Sequence, residues 1–259
     1  MKFNGSALAL RALVSAMVAC VLWPAVGSSQ EYFSTLSSVS FTVKYQRGVS
    51  EEHVRSLMDL LQSERNAILR EVGGDSSQKI EVRIYASVGS FQAGAGVKQP
   101  WRGAAYAKEI LHMQPLRALI QRGILERSVA YELALAILEG VGRKGCPRWL
   151  REAYAVHHSG EMQTLSAPMG VRLSSFSDLD QDIQTYPNPP QRDDVHYVLG
   201  QTMKFLIDRF TEVKALGVYR QFDGIKSVDR IFKTYFNEDY SAIERAWSKS
   251  VQSKAFAPR

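Results

Sequence analysis

The stretch from Ser128 to Gly160, SVAYELALAILEGVGRKGCPRWLREAYAVHHSG, constrains this chain more than any other. Val129, Leu133, Ala136 and Ile137 recur at three- and four-residue spacing, which puts them on one face of a helix. Gly140, Gly142 and Gly145 then break the pattern, with Arg143 and Lys144 near the negative end of that helix. Pro147 suits the first turn of a second helix, where its missing N–H would have had no intrahelical partner. Trp149, Leu150, Ala153 and Tyr154 make the apolar stripe of this second helix.

The two segments resemble the metal-binding helix pair of the peptidase MA-like domain, a gluzincin-type zinc metallopeptidase family. That family carries H-E-L-T-H-A in a first helix and P-x-W-L-x-E-G-x-A in a second. Here Tyr131-Glu132-Leu133-Ala134-Leu135-Ala136 and Pro147-Arg148-Trp149-Leu150-Arg151-Glu152-Ala153-Tyr154-Ala155 stand in those places. The frame matches, but Tyr131 and Leu135 replace the two zinc-binding imidazoles. By the same resemblance Glu132 holds the general-base position and Glu152 the position of the third metal ligand. Zinc in a hydrolase takes about three protein ligands plus a water, and H-E-x-x-H supplies two imidazoles one turn apart. Leu135 has no donor atom, and two carboxylates with a phenol are a poor set for zinc. The resemblance therefore implies a degenerate motif from which the family's zinc is expected to be lost. Positions 131 and 135 must project into the same space. Tyr131 is expected to turn its hydroxyl to Glu152, and Leu135 to be largely buried.

Residues 1–29 read as an export signal. Lys2 and Arg11 are its positive flank, Ala12 to Leu22 its apolar run, and Pro24, Ala25, Gly27 and Ser29 its small-residue end. The run is short for a membrane span. Cys20 loosely fits a lipoprotein motif, but Val21, Leu22 and Trp23 continue the apolar run past it, which favours a plain signal and a periplasmic or secreted product. Loss of this segment lowers the formal charge from +6 to +4, too little to suggest a nucleic-acid partner. Cys146 is then the one remaining cysteine, so no internal disulfide forms, and a buried thiol is expected.

Residues 30–259 read as a single peptidase MA-like domain. Phe41, Val43 and Tyr45 alternate with polar residues, as do Ile80, Val82 and Ile84, which predicts two strands. Between them Val54, Leu57, Leu60, Leu61, Ile68 and Leu69 predict an amphipathic helix, opened by Ser50 and closed near Gly73. Phe91 to Gly96 reads as a loop, and Gly103 to Met113 as one or two short strands. Residues 161–194 show little regular pattern, and helices follow, with Asn237 suited to cap the last one and Trp247 to anchor it. The fold class is α+β: a small mixed or antiparallel N-terminal sheet with one helix, then a mainly helical half. The same order of elements extends the resemblance over residues 38–250. It implies a sheet edge strand beside a substrate cleft, able to pair with an extended peptide.

His157 and His158 do not share the face of Glu152 and read as an exposed helix-end pair. His53, His112 and His196 lie far off in sequence and form no ligand spacing. Glu132 and Glu152 could in principle divide acid and base roles without a metal, as in glycosidases. No aromatic stripe for carbohydrate accompanies them, and a buried cluster with Tyr131 and Arg148 or Arg151 is the plainer reading. Three functions follow: a non-catalytic exported protein binding a peptide or an envelope protein in the old cleft, an active metallopeptidase with non-standard ligands, or a structural envelope protein with a filled cleft. A basic cleft with an open sheet edge would favour the first.

Overall fold

A computed structural model describes residues 33–74, 77–140, 145–168, 175–185 and 189–255. The export signal expected over residues 1–29, and Arg143 and Lys144, lie outside them. Alternating apolar residues build β2 (Phe41–Gln46) and β3 (Ile80–Ile84), each turning one face into the main core. The two strands run parallel, which demands a crossover, and α1 (Glu51–Val72) supplies it. β1 (Phe33–Ser37), whose residues show no buried alternation, adds antiparallel to β2. β4 (Ala104–Ala107) and β5 (Ile110–Met113) form a hairpin, with β5 parallel to β3. The sheet is mixed, in the order β1-β2-β3-β5-β4, and β4 is an edge.

α1 buries Val54, Leu57, Leu61, Ile68 and Val72 at helical spacing. It stops at Gly73, whose φ of 70° is the left-handed conformation glycine tolerates. Arg220 donates to the carbonyls of Arg70 and Glu71 at 2.9 and 3.2 Å, meeting the open end of α1. On the other face of the sheet lies a second small core of Tyr85, Phe91, Ala95 and Ala105. It packs under α2 (Val88–Ala95), where the sequence suggested a loop. Ser87 caps α2 by accepting from Ser90 N at 3.1 Å. Gly94, within the segment read as a loop, is there for space, because a Cβ would collide with the Tyr85 hydroxyl.

The rest of the chain is helical: α3 (Leu116–Gln121), α4 (Leu125–Gly140), α5 (Arg148–His158), α6 (Phe176–Thr185), α7 (Pro189–Phe210), α8 (Glu212–Gly217), α9 (Val228–Phe236) and α10 (Tyr240–Ala255). None of the described helices is long and apolar enough to cross a membrane. α6 corrects the expectation of a patternless 161–194 region: Phe176, Leu179 and Ile183 are buried at helical spacing amid polar neighbours. Phe176 stacks on Trp149 with ring centroids 4.0 Å apart, and Asp180 accepts from Trp149 N at the start of α5. Trp247 anchors α10 as expected, donating to Thr202 Oγ1 at 2.8 Å. Asn237 instead ends α9, at φ 60°.

The far end of α5 departs from expectation. His158 is not an exposed terminus: its side chain is 8% exposed, with Nε2 2.9 Å from Glu64 and Nδ1 3.4 Å from Glu71. Tyr154 also donates to Glu71 at 2.7 Å, and its ring stacks on His158. Burial works against the His158 cation, yet the hydrogen bonds and charges of Glu71 and Glu64 raise its pKa above 6.5. Burial likewise opposes the Glu71 anion, but hydrogen bonds from His158 and Tyr154 bring its pKa below 4.5. The His158 contribution is complete below pH 6.5 and is lost as pH rises through the raised folded value. That of Glu71 is complete above pH 4.5 and is lost as pH falls through the lowered value. Stability from this tie therefore peaks between pH 4.5 and 6.5. Urea denaturation of His158→Gln should show a loss of about 1 kcal/mol at mildly acid pH and a smaller loss at alkaline pH, the partly exposed carboxylates screening the charge.

Candidate functional site

α4 crosses beside β4 and packs on α5, so its residues face both the sheet edge and the second helix. From α4, Glu132 turns to the sheet. Its Oε2 accepts from Tyr106 N at 2.8 Å and its Oε1 from Arg102 at 2.9 Å. The hairpin explains the first contact. Residues 108 and 109 form a two-residue turn, and Gly103 bonds Gln114, so the N–H of Tyr106 points away from β5. Glu132 takes that outward donor, and Gly103 and Ala104 are buried beside it, whereas Ala105 belongs to the second small core. Gly103 permits the approach: a Cβ there would stand 2.8 Å from Ser128 Oγ. One outward donor of the edge strand expected to pair with an extended peptide is therefore already taken by Glu132.

Tyr131 turns the other way, toward α5. Its hydroxyl donates to Glu152, the contact expected from the sequence, and Arg148 Nε reaches the other carboxylate oxygen at 3.4 Å. Arg151, the alternative partner, lies instead 3.7 Å from Glu139. Glu132 and Glu152 are 4% and 5% exposed, and each thus has a cation and a further donor in place of water. The Tyr131 ring stacks on His196 of α7, with centroids 5.1 Å apart, and His196 Nε2 lies 3.5 Å from the hydroxyl. His196 Nδ1 is 2.9 Å from Glu161 Oε2, and Arg192 is 2.6 Å from Glu161 Oε1. Burial alone would raise the Glu161 pKa, but the His196 hydrogen bond and charge, with Arg192, hold it down to about 2. Leu135 is half-buried against the core, not enclosed as expected. Tyr131 and His196 take up the space between the helices.

Glu161 sits on a single 3-10 turn (Glu161–Thr164) that Gly200 of α7 admits. A Cβ on Gly200 would lie 2.6 Å from Met162 Sδ. His196 and Glu161 escaped the sequence reading because they lie 65 and 30 positions from Tyr131 in the chain. The signal available was a histidine beside Val195, Val198 and Leu199, on the buried stripe of α7.

Between these elements is a cavity of about 480 Å³. Tyr131 and Glu132 line it, and Trp101, Ile124 and Leu165 give it apolar wall. Arg102, Arg122, Arg127 and Arg192 line it together with Glu161 and Asp193. The residues fit zinc poorly. Leu135 offers no lone pair, Glu152 faces a guanidinium, and Glu132 is committed to Arg102 and the sheet. Among the described residues no three His, Cys, Asp or Glu side chains are grouped to hold a metal.

No family model matches the chain, and no curated protein matches it. Among solved structures it is similar to a mutant M1 zinc metallopeptidase from Deinococcus radiodurans bound to a Tyr-Ser-Ala substrate. That likeness has 14% identity and a TM-score of 0.46, and covers 84% of this chain and 51% of the other. The chain thus spans about half the length of that enzyme.

Tyr131→Phe should cost about 1–3 kcal/mol in urea denaturation, because Glu152 stays buried with one donor fewer. Gly200→Ala should cost about 1–3 kcal/mol by displacing Met162, and should loosen the turn that carries Glu161.

Proposed function

We propose that this chain is an exported, non-catalytic relative of zinc metallopeptidases that binds a peptide or protein segment in its cleft. One observation carries the reading: both carboxylates of the frame are already neutralised from within, Glu132 by Arg102 and the Tyr106 N–H, Glu152 by Tyr131 and Arg148. A general base so engaged has a donor on each of its two oxygens, and a ligand position so engaged faces a cation instead of a metal. The cavity supports binding over a filled, purely structural site, since about 480 Å³ lies in the usual range for ligand pockets. Export rests on the pattern of residues 1–29.

Elemental analysis of the dialysed protein tests the reading, together with an assay of peptide cleavage. Zinc well below one per chain and no cleavage are expected. About one chelator-removable zinc per chain with cleavage of peptides would establish the competing reading, an active enzyme with unusual ligands. Tyr131→His with Leu135→His should together create zinc affinity, and either alone should do little.

A further inference from the structure

We infer that the cleft recognises its peptide through one carboxylate, held by Arg122 and Arg127; this rests on the cleft being a peptide-binding site. The cavity's other two arginines are matched. Arg102 lies 2.9 Å from Glu132, and Arg192 lies 2.6 Å from Glu161 and 3.2 Å from Asp193. Among the described residues the bonds of Arg122 and Arg127 go to neutral oxygens. Arg122 reaches Trp101 O at 3.0 Å and Gln114 Oε1 at 3.4 Å, and Arg127 reaches Thr164 Oγ1 at 2.7 Å. Among the described residues neither is within ion-pair range of a carboxylate. These bonds hold both side chains at the cavity wall, and among the described residues they use fewer than half of the five N–H donors of each.

The ligand's chemistry follows from three features. Four arginines face three carboxylates in the cavity, so the excess is a single positive charge. That matches a monoanionic carboxylate better than a phosphate group, which carries about −1.5 to −2 near neutral pH. The planar guanidinium fork also fits a carboxylate in two-point contact. Glu132 already takes the outward N–H of Tyr106, which weakens backbone pairing along β4 and leaves more of the affinity to an end group or side chain. Trp101, Ile124 and Leu165 beside the arginines suit an apolar residue next to the carboxylate.

Three probes test this by calorimetry on the purified protein: acetyl-Gly-Ser-Gly-Ser-Ala-Leu with a free carboxylate, the same peptide as its carboxamide, and the carboxamide with Asp in place of Ala. The free acid should bind about tenfold more tightly than its carboxamide. Arg122→Gln with Arg127→Gln should abolish that difference, chiefly by weakening binding of the free acid, whereas Lys at both positions should retain part of it. Equal binding of acid and carboxamide would overturn the carboxylate subsite while leaving the cleft as a peptide site. Failure of all three to bind would overturn both. If the Asp carboxamide regains the tenfold, the subsite stands and takes a side-chain carboxylate instead of a chain end. Displacement by inorganic phosphate at concentrations where acetate has no effect would overturn the monoanion assignment.

Discussion

Glu132 and Glu152 are carboxylates at the centre of a helix pair, each nearly inaccessible to water. An ionised carboxylate left alone there would cost several kcal/mol, so the surrounding structure has to supply positive charge and hydrogen-bond donors. Much of the architecture can be understood as that supply. Arg102 comes from the approach to β4, Arg148 from one turn earlier on α5, and Tyr131 from the facing helix. Removing one donor leaves the charge in place, which is why such sites are more sensitive to truncation than to wholesale replacement by apolar groups.

The satisfied carboxylates also join layers. Glu132 ties α4 to the sheet edge, and Glu152 with Tyr131 ties α4 to α5. His196 and Glu161 then extend the contact to α7 and to the 3-10 turn. The cavity lies where these layers meet, and its walls come from elements distant in the chain. The aromatic stack of Trp149, Phe176 and Trp247 holds the opposite side of α5, so the second helix is pinned on both faces.

What could be read from the sequence was local. β2, β3 and α1 announce themselves by periods of two and 3.6 residues, and the facing of Tyr131 and Glu152 follows from the helix-pair frame. What could not be read depended on distant partners. His158 looked like an exposed end because its carboxylates come from α1, more than 80 positions earlier. α2 looked like a loop because Phe91 to Gly96 is rich in glycine, although Gly94 makes room for Tyr85 and Gly96 closes the helix. The contact of Glu132 with β4 was equally hidden. Glu132 marked a position in a motif, and only the hairpin's hydrogen-bond phase shows which backbone donor it meets.

Trp101 adds a property of a different kind. Its ring borders the cavity with the Arg192 guanidinium 5.7 Å from the centroid, and the residue is partly open to solvent. Trp149 and Trp247, in contrast, are 1% and 0% exposed within the aromatic stack. Among the described tryptophans, the polarity sensed by an indole therefore changes with cleft occupancy only at Trp101. The protein carries its own optical reporter there, and its emission would follow filling of the cleft without any attached dye.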